Sequence, residues 1–319
     1  MHVSFIVPLY NCLELTRAMV GSLQASLPKG LDHEIILVDD GSTDGTRAWL
    51  AGLKNPFRVI LNERNLGFAA ANNRGSSAAR GELLVLLNND LVLGPGWLEP
   101  MLEGHRQLGP RAGLVGNIQL DARTGKVDHA GIFINHKGKP EHIRVLPRSS
   151  VRRACPVREV SLLTGACVLI SRRLWIELRG FDEGYRNGCE DVDLCLRAIA
   201  AGKLNAVALQ SRVRHHISTT PGRKTHDEAN TYRFTLRWRD TLAVLGLRGW
   251  CRHHVEEFMR DPRDFSETRL ALGLAAYLSG LRREPPAEAR EGIRQALDLE
   301  LARWRALFGD GAPGGGSSV

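Results

Sequence analysis

Apolar runs rich in β-branched residues recur at 3–9, 34–38, 57–61 and 83–87, and the stretches between them carry helical periodicity. Short strands alternating with helices predict an α/β chain built on a mostly parallel sheet with flanking helices. Ligands of such sheets sit beyond the carboxyl ends of the strands, so the residues closing each run carry the first functional expectation. They are Pro8, Leu9, Tyr10 and Asn11 for the first run and Asp39, Asp40, Gly41 and Ser42 for the second. The third supplies Asn62, Glu63, Arg64 and Asn65, and the fourth Asn88, Asn89 and Asp90.

Beyond residue 112 the pattern shifts to shorter extended segments, Gly113 to Leu120 and Val160 to Ile170, which predict a mixed or antiparallel second half. Helices are expected at 172–179 and 190–201, succeeded by a strand near 205–214. From about 223 the chain reads as mainly helical, with breaks at Pro262, Pro285 and Pro286. These features predict a catalytic α/β domain over 1–240, a helical C-terminal extension over 241–308 and a disordered Gly/Ser-rich tail over 309–319.

Composition narrows the class. A chain of 319 residues with 43% hydrophobic and 24% charged residues is ordinary for a globular protein. No apolar run approaches the roughly 18 to 20 residues that span a bilayer. The N-terminus enters directly into Val3, Ser4, Phe5, Ile6 and Val7, without a basic region or an extended apolar core, so a cytoplasmic location is expected. The six cysteines form no CxxC pair and read as reduced, buried thiols. A formal net charge of +8 is compatible with anionic substrates, nucleic acid or an anionic membrane surface. The basic residues are dispersed with little aromatic interleaving, so no nucleic-acid partner is expected.

The acidic positions carry the candidate chemistry. Asp39 and Asp40 are consecutive carboxylates at a strand end, where mutual repulsion raises the cost of ionising both and a ligand donor would relieve it. Such carboxylates can accept hydrogen bonds from a nucleobase and a ribose. Ser42, Thr43 and Asp44 read as capping groups for the next helix. Asp90 closes a deeply buried run and suits a hard divalent cation, Mg²⁺ or Mn²⁺, whose shell substrate phosphates and water would complete. His215 and His216 are candidate imidazole ligands, although their spacing alone favours a solvent-facing loop. Glu190 and Asp191 open a helix after Gly188; Asp191 is the candidate general base, whereas Asp193 reads as a cap or dipole partner. Gly165, Ala166 and the 180–183 stretch are candidates for shaping an acceptor pocket. No GxGxxG follows the first strand and no GxxxxGK[ST] occurs.

Taken together, Val7 to Asn11, Val38 to Asp44, Asn65 Leu66 Gly67 Phe68, Asn72 Asn73 Arg74 Gly75, Asn88 Asn89 Asp90 and Glu190 Asp191 resemble family 2 glycosyltransferases over about residues 1–240, closest to a rhamnosyltransferase-like branch. The resemblance implies a GT-A fold and an inverting, metal-dependent transfer from a nucleotide diphosphate sugar. It also implies a saccharide or lipid-linked saccharide acceptor and a role in surface polysaccharide assembly. Carried over by residue, it implies that Asp40 recognises the base, with Asp39 beside it and Pro8, Tyr10 and Asn11 bordering the nucleoside. Asn65, Asn73, Asn88 and Asn89 join the donor site. Asp90, with His215 or His216, is implied as the metal site, and Asp191, supported by Glu190, as the catalytic base. Asn88 departs from the family's pattern, standing where its DxD motif begins with a carboxylate. The rival expectation is a noncatalytic nucleotide-sugar binding module. The helical extension is open to acceptor binding, dimerisation, peripheral contact with the inner face of a membrane, or plain packing.

Overall fold

A computed structural model of the chain describes residues 2–146, 157–216, 226–262 and 265–309. The tail expected beyond 309 lies outside these residues, as does Cys155. The described chain forms two compact units, one of residues up to 132 with 142–226, the other of 133–141 with the residues from 227 onward.

In the first unit the elements run β1 (Val3–Leu9), α1 (Leu13–Ser26), β2 (His33–Asp39), α2 (Thr46–Ala51), β3 (Phe57–Leu61), α3 (Phe68–Ala78), β4 (Leu83–Leu87), β5 (Leu91–Val92), α4 (Glu99–Leu108), β6 (Ala112–Asp121) and β7 (Val127–His129). A two-stranded ribbon of β8 (Ile132–Ile134) and β9 (Pro140–His142) spans the 133–141 segment. The first unit resumes with β10 (Val157–Glu159), β11 (Cys167–Ser171), α5 (Arg172–Glu177), α6 (Glu190–Ala200) and β12 (Leu204–His215). The run expected to be extended from Val160 to Ile170 is interrupted: only Cys167–Ser171 pairs as a main strand, because residues 165–166 form a turn just before it.

Ten strands make one sheet in the order β10, β12, β6, β11, β4, β1, β2, β3, with β5 added to β12 and β7 to β6. The half made of β4, β1, β2 and β3 is parallel, as the apolar runs predict. β11 enters antiparallel between β4 and β6. Because β1 lies between β2 and β4, the chain reverses its direction of travel across the sheet at β1, and a crevice opens at the carboxyl ends there. The ladder between β1 and β4 stops at Ile6 and Leu86, so the N–H that Pro8 lacks falls where these strands have parted.

Alternate residues of each central strand face opposite sides of the sheet. Phe5, Val7, Leu9, Ile35, Leu37, Val85 and Leu87 pack with Met19 and Leu23 of α1 and with Trp97, Leu98 and Met101 at the start of α4. On the other face α3 approaches closely at Gly75, where an added Cβ would lie 2.6 Å from Ile6 Cγ2 and 2.9 Å from Val38 Cγ2. A methyl group has no room there.

The second unit holds α7 (Asp227–Leu245), α8 (Leu247–Arg260), α9 (Phe265–Ser279) and α10 (Ala287–Phe308). Pro262 follows the end of α8, and Pro285 and Pro286 immediately precede α10, as helix-breaking residues should. Tyr232 of α7 meets Trp304 of α10 at 5.9 Å between ring centroids, and Arg239 forms a two-point bond to Asp298 at 2.7 Å. Among the described residues no helix is long and apolar enough to cross a membrane.

Replacing Gly75 with Val is expected to destabilise the first unit by about 1–3 kcal/mol through overpacking between α3 and the sheet. Denaturant titration measures it; an unchanged midpoint contradicts so tight a contact.

Candidate active site

The parted ends of β1 and β4 open into a cleft of about 170 Å³ in the first unit. Pro8, Tyr10, Asp40, Asn65, Asn88, Asn89, Asp90, Glu190 and Asp191 all line it, so nine of the sequence-predicted site residues converge from five chain segments. Gly165 and Ala166 line it too, together with Phe68, Thr164, Asn187 and Gly188.

Strand geometry sends the two consecutive carboxylates at the end of β2 to opposite sides. Asp39 is fully buried and binds Arg47 Nε at 2.7 Å, with the Ser42 N–H at 3.3 Å. It does not line the cleft. Asp40, 3% exposed, accepts Asn62 Nδ2 at 2.7 Å and the Leu66 N–H at 2.9 Å on one oxygen, and the Gly67 N–H at 2.8 Å on the other. The relief expected from a ligand donor therefore comes largely from the protein. Asn62, named in the sequence among the residues closing the third run, was given no role in the site. It sits fully buried behind the cleft, its side-chain oxygen taking Arg74 Nη1 at 2.5 Å and its carbonyl taking Arg47. Its place at the end of the third apolar run was the available signal.

Two further expected donor-site residues do other work. Asn11, at φ 54°, receives the Thr43 N–H on its side chain at 2.8 Å and gives its own N–H to Ser42 Oγ at 2.8 Å. It clips the turn after β1 to the turn after β2. Asn73 holds the 180–183 stretch onto α3 by bonding the Phe181 N–H and carbonyl, each at 2.9 Å, and Glu183 at 2.8 Å. The 180–183 stretch itself does not line the cleft; Phe181 instead packs between Phe68 and Trp175. The capping expectation also shifts by one position. The residue before α2 is Gly45, and Asp44 accepts Thr46 Oγ1 at 2.6 Å and the Leu13 N–H at 3.0 Å.

Asp90 lines the cleft, and its Oδ1 lies 3.1 Å from His215 Nε2. The histidine is 5% exposed and is the last residue of β12, placed against β5 by the His215–Leu91 register. It is therefore not in the solvent-facing loop that its spacing favoured. His216 contributes its backbone, donating its N–H to the Asp90 carbonyl at 3.0 Å. Among the described residues neither ring nitrogen of His215 has a hydrogen bond of good geometry, which suits an imidazole awaiting a cation. Among the described residues no three His, Cys, Asp or Glu side chains gather tightly enough to hold a metal. A cation here would thus have a carboxylate and an imidazole from the protein, with the rest of its shell left to phosphate oxygens and water. Asn88 donates its N–H to the Ala166 carbonyl at 2.8 Å, and Asn89 Nδ2 bonds Thr16 Oγ1 at 2.9 Å.

Asp191 lines the cleft from the first turn of α6. One oxygen accepts the Gly165 N–H and the other the Val192 N–H, both at 2.8 Å. Gly165 packs closely on this residue, where a Cβ would sit 3.2 Å from Asp191 Cβ. Glu190 accepts the Gly188 N–H at 2.6 Å and shapes the turn. Asp193 is fully buried against Arg197 at 2.7 Å, the structural role expected of it. Behind the cleft, His129 and His142 meet edge to face at 5.0 Å. Burial holds the His129 imidazole well below its ordinary value, and it also lowers His142 against the opposite pull of Asp128 and Asp191. Burial pushes the Cys167 thiol up to about 12 and raises Cys195 further, so these two cysteines are inert thiols, as read from the sequence.

The fold is that of the GT-A glycosyltransferases. The chain has a TM-score of 0.62 to GalNAc-T7 solved with UDP, GalNAc and Mn²⁺, at 16% identity, covering 97% of this chain and 58% of the other. It has a TM-score of 0.50 to the Pyrobaculum calidifontis mannosyltransferase PcManGT in complex with GDP-Man and Mn²⁺, at 19% identity, covering 97% and 76%. Residues 4–177 match the glycosyl transferase family 2 model, and the chain belongs to that family. It is 32% identical over 94% of its length to the O-antigen biosynthesis protein RfbC of Myxococcus xanthus and 31% identical over 71% to the uncharacterized protein y4gI of Sinorhizobium fredii. It spans 23% and 26% of those proteins. It is also 30% identical over 59% of its length to the N-acetylglucosaminyl-diphospho-decaprenol L-rhamnosyltransferase of Mycobacterium tuberculosis, of which the match covers 68%.

Replacing Asp39 with Asn is expected to lower stability by about 1–3 kcal/mol, because a buried charge-assisted bond to Arg47 is lost. Nucleotide affinity measured by calorimetry on the folded variant should change less than threefold; a larger loss with unchanged stability would put Asp39 in the binding site.

Proposed function

We propose that this chain transfers a hexosyl or rhamnosyl group from a nucleotide diphosphate sugar to an acceptor hydroxyl, with inversion, in the assembly of a surface polysaccharide. The observation that carries the reading is that Asp40, Asp90 and Asp191 line one cleft, with His215 Nε2 at 3.1 Å from Asp90. A nucleotide diphosphate sugar needs three such groups, one for the nucleoside, one for a cation at the diphosphate and one for the acceptor proton. The relatives in O-antigen synthesis and rhamnosyl transfer support the sugar class and the pathway.

Asp40 and the turn it holds bind the nucleoside, with Tyr10 and Asn65 bordering it. Asp90 and His215 would hold a divalent cation, Mn²⁺ or Mg²⁺, which when bound neutralises charge on the leaving diphosphate. Asp191 is fixed by two backbone N–H groups, one on each oxygen, and keeps lone pairs for an incoming hydroxyl. The acceptor oxygen gives its proton to Asp191 as it forms a bond to the anomeric carbon. The bond from that carbon to the phosphate oxygen breaks on the opposite face, and the nucleoside diphosphate leaves with the electron pair. Glu190 holds the 188–190 turn so that Asp191 faces the cleft. The saccharide or lipid-linked saccharide acceptor enters on the side of Thr164, Gly165 and Asn187.

Asp191→Asn is expected to lower transfer by about 10³-fold or more while leaving donor affinity within threefold, since it removes only the proton acceptor. Turnover near the parent value, read by release of nucleoside diphosphate, rules out this base. Replacing Asp90 with Ala should abolish the Mn²⁺-dependent part of donor binding; calorimetry with and without chelator reads the effect, and unchanged metal dependence removes Asp90 from the metal site.

A further inference from the structure

Resting on that reading of the cleft, we infer that the acceptor is a saccharide ring with two adjacent hydroxyls, one attacking beside Asp191 and the other held by the side-chain amide of Asn187. Asn187 lines the same cleft as Asp191 and Gly165 and stands four residues before the base. It is exposed, whereas Asp40, Asp90 and Glu190 are buried. The donor nucleotide belongs with the buried groups. An acceptor that arrives from solvent meets the exposed one.

The side chain of Asn187 is held with its nitrogen to spare. Its φ is 55°, in the left-handed region that asparagine tolerates better than most residues. Cys189 lies there too, at 71°, and between them Gly188 gives its N–H to Glu190 at 2.6 Å. Asn187 Oδ1 accepts the Phe68 N–H at 3.3 Å, one of the groups that the start of α3 leaves without an intrahelical partner. A backbone N–H only donates, so the amide oxygen faces Phe68 and Nδ2 is left over. Among the described residues Nδ2 has no partner. Glycine or aspartate would also suit the backbone here, and aspartate would hold Phe68 as well. The N–H pair is what asparagine adds.

The segments framing Asp191 are Thr164 Gly165 Ala166 and Asn187 Gly188 Cys189 Glu190 Asp191. Asn187 supplies their one side-chain amide, and they contain no Lys or Arg. The Gly165 and Gly188 N–H groups are already taken by Asp191 and Glu190. A proton acceptor beside an uncommitted N–H donor suits two neighbouring ring oxygens: one gives its hydrogen to the carboxylate and the next accepts a hydrogen from the amide. A lipid alcohol presents one oxygen and leaves the amide unpaired. A lipid phosphate brings negative charge toward two carboxylates with no cation in these segments to offset it.

The test uses the full chain with Mn²⁺ and UDP-, dTDP- and GDP-hexoses and dTDP-rhamnose as donors. Octyl glycosides of glucose, galactose, mannose, N-acetylglucosamine and rhamnose are offered as acceptors, with octanol and citronellyl phosphate as rivals and water alone for hydrolysis. A glycoside is expected to be used at least about tenfold better than either rival. Its monodeoxy analogue, lacking a hydroxyl next to the one glycosylated, should lose about tenfold in kcat/KM. That penalty should shrink below about threefold in Asn187→Gly, which meets the backbone conformation, and in Asn187→Asp, which also keeps the Phe68 bond. A penalty that persists in the variants, or a rival used as well as the glycosides, overturns the inference. So does a loss of hydrolysis in the variants equal to the loss of transfer, which would place the amide on the donor sugar. Hydrolysis without transfer to any glycoside also overturns it and leaves the donor site standing. If no donor is hydrolysed or transferred, the transferase reading fails and the inference falls with it.

Discussion

The site depends on one long-range contact, the approach of Asp90 and His215. The two residues are brought together by the pairing of β5 with β12, which sets His215 opposite Leu91. For that pairing to form, β12 must run parallel to the whole of β6, from Leu204 opposite Ala112 to His215 opposite Asp121. β6 in turn needs β11 to join it to β4, whose end delivers Asp90. The antiparallel insertion of β11 into a parallel sheet is thus what sets the acidic end of one half beside the histidine end of the other. A carboxylate and an imidazole held 3.1 Å apart and nearly buried are costly to assemble and useful to a cation.

The remaining parts of the cleft are held by backbone N–H groups and amides more than by charge pairs. Asp40 organises the 62–67 turn, and Asp191 is pinned between Gly165 and its own helix start. At Gly41 a Cβ would lie 2.6 Å from the Arg64 carbonyl carbon, so the turn after β2 and the 64–67 turn touch backbone to backbone. Both carboxylates are preorganised by these bonds. Binding energy need not be spent ordering them, which leaves it available for the transferred group.

Much of this was legible in the sequence because parallel strands end where ligands bind. The runs at 3–9, 57–61 and 83–87 became strands with the same bounds, and Asp40, Asp90 and Asp191 line one cleft. The less legible features depend on partners remote in the chain. Asn11 and Asn73 looked like ligand groups because polar residues at strand and helix ends serve ligands and turns alike; here they tie turns together. Asp39 looked equivalent to its neighbour, but a pleated strand sends adjacent side chains to opposite sides. His215 and His216 could not be separated by spacing, because the choice is made by where β12 ends. Asn62 stood among the strand-end residues without an assigned role, since its importance comes from bonding Asp40, Arg74 and Arg47 at once.

Whether Asp90 and His215 hold a cation against a nucleoside diphosphate in this cleft is tested most directly by pulsed electron paramagnetic resonance. Mn²⁺ bound together with a nucleoside diphosphate is the probe, because its spectrum reads the nuclei around the metal. Couplings to the phosphate phosphorus nuclei and to one imidazole nitrogen are predicted, with the nitrogen coupling lost in His215→Ala. Phosphorus coupling without any nitrogen coupling in the parent protein would contradict this metal site.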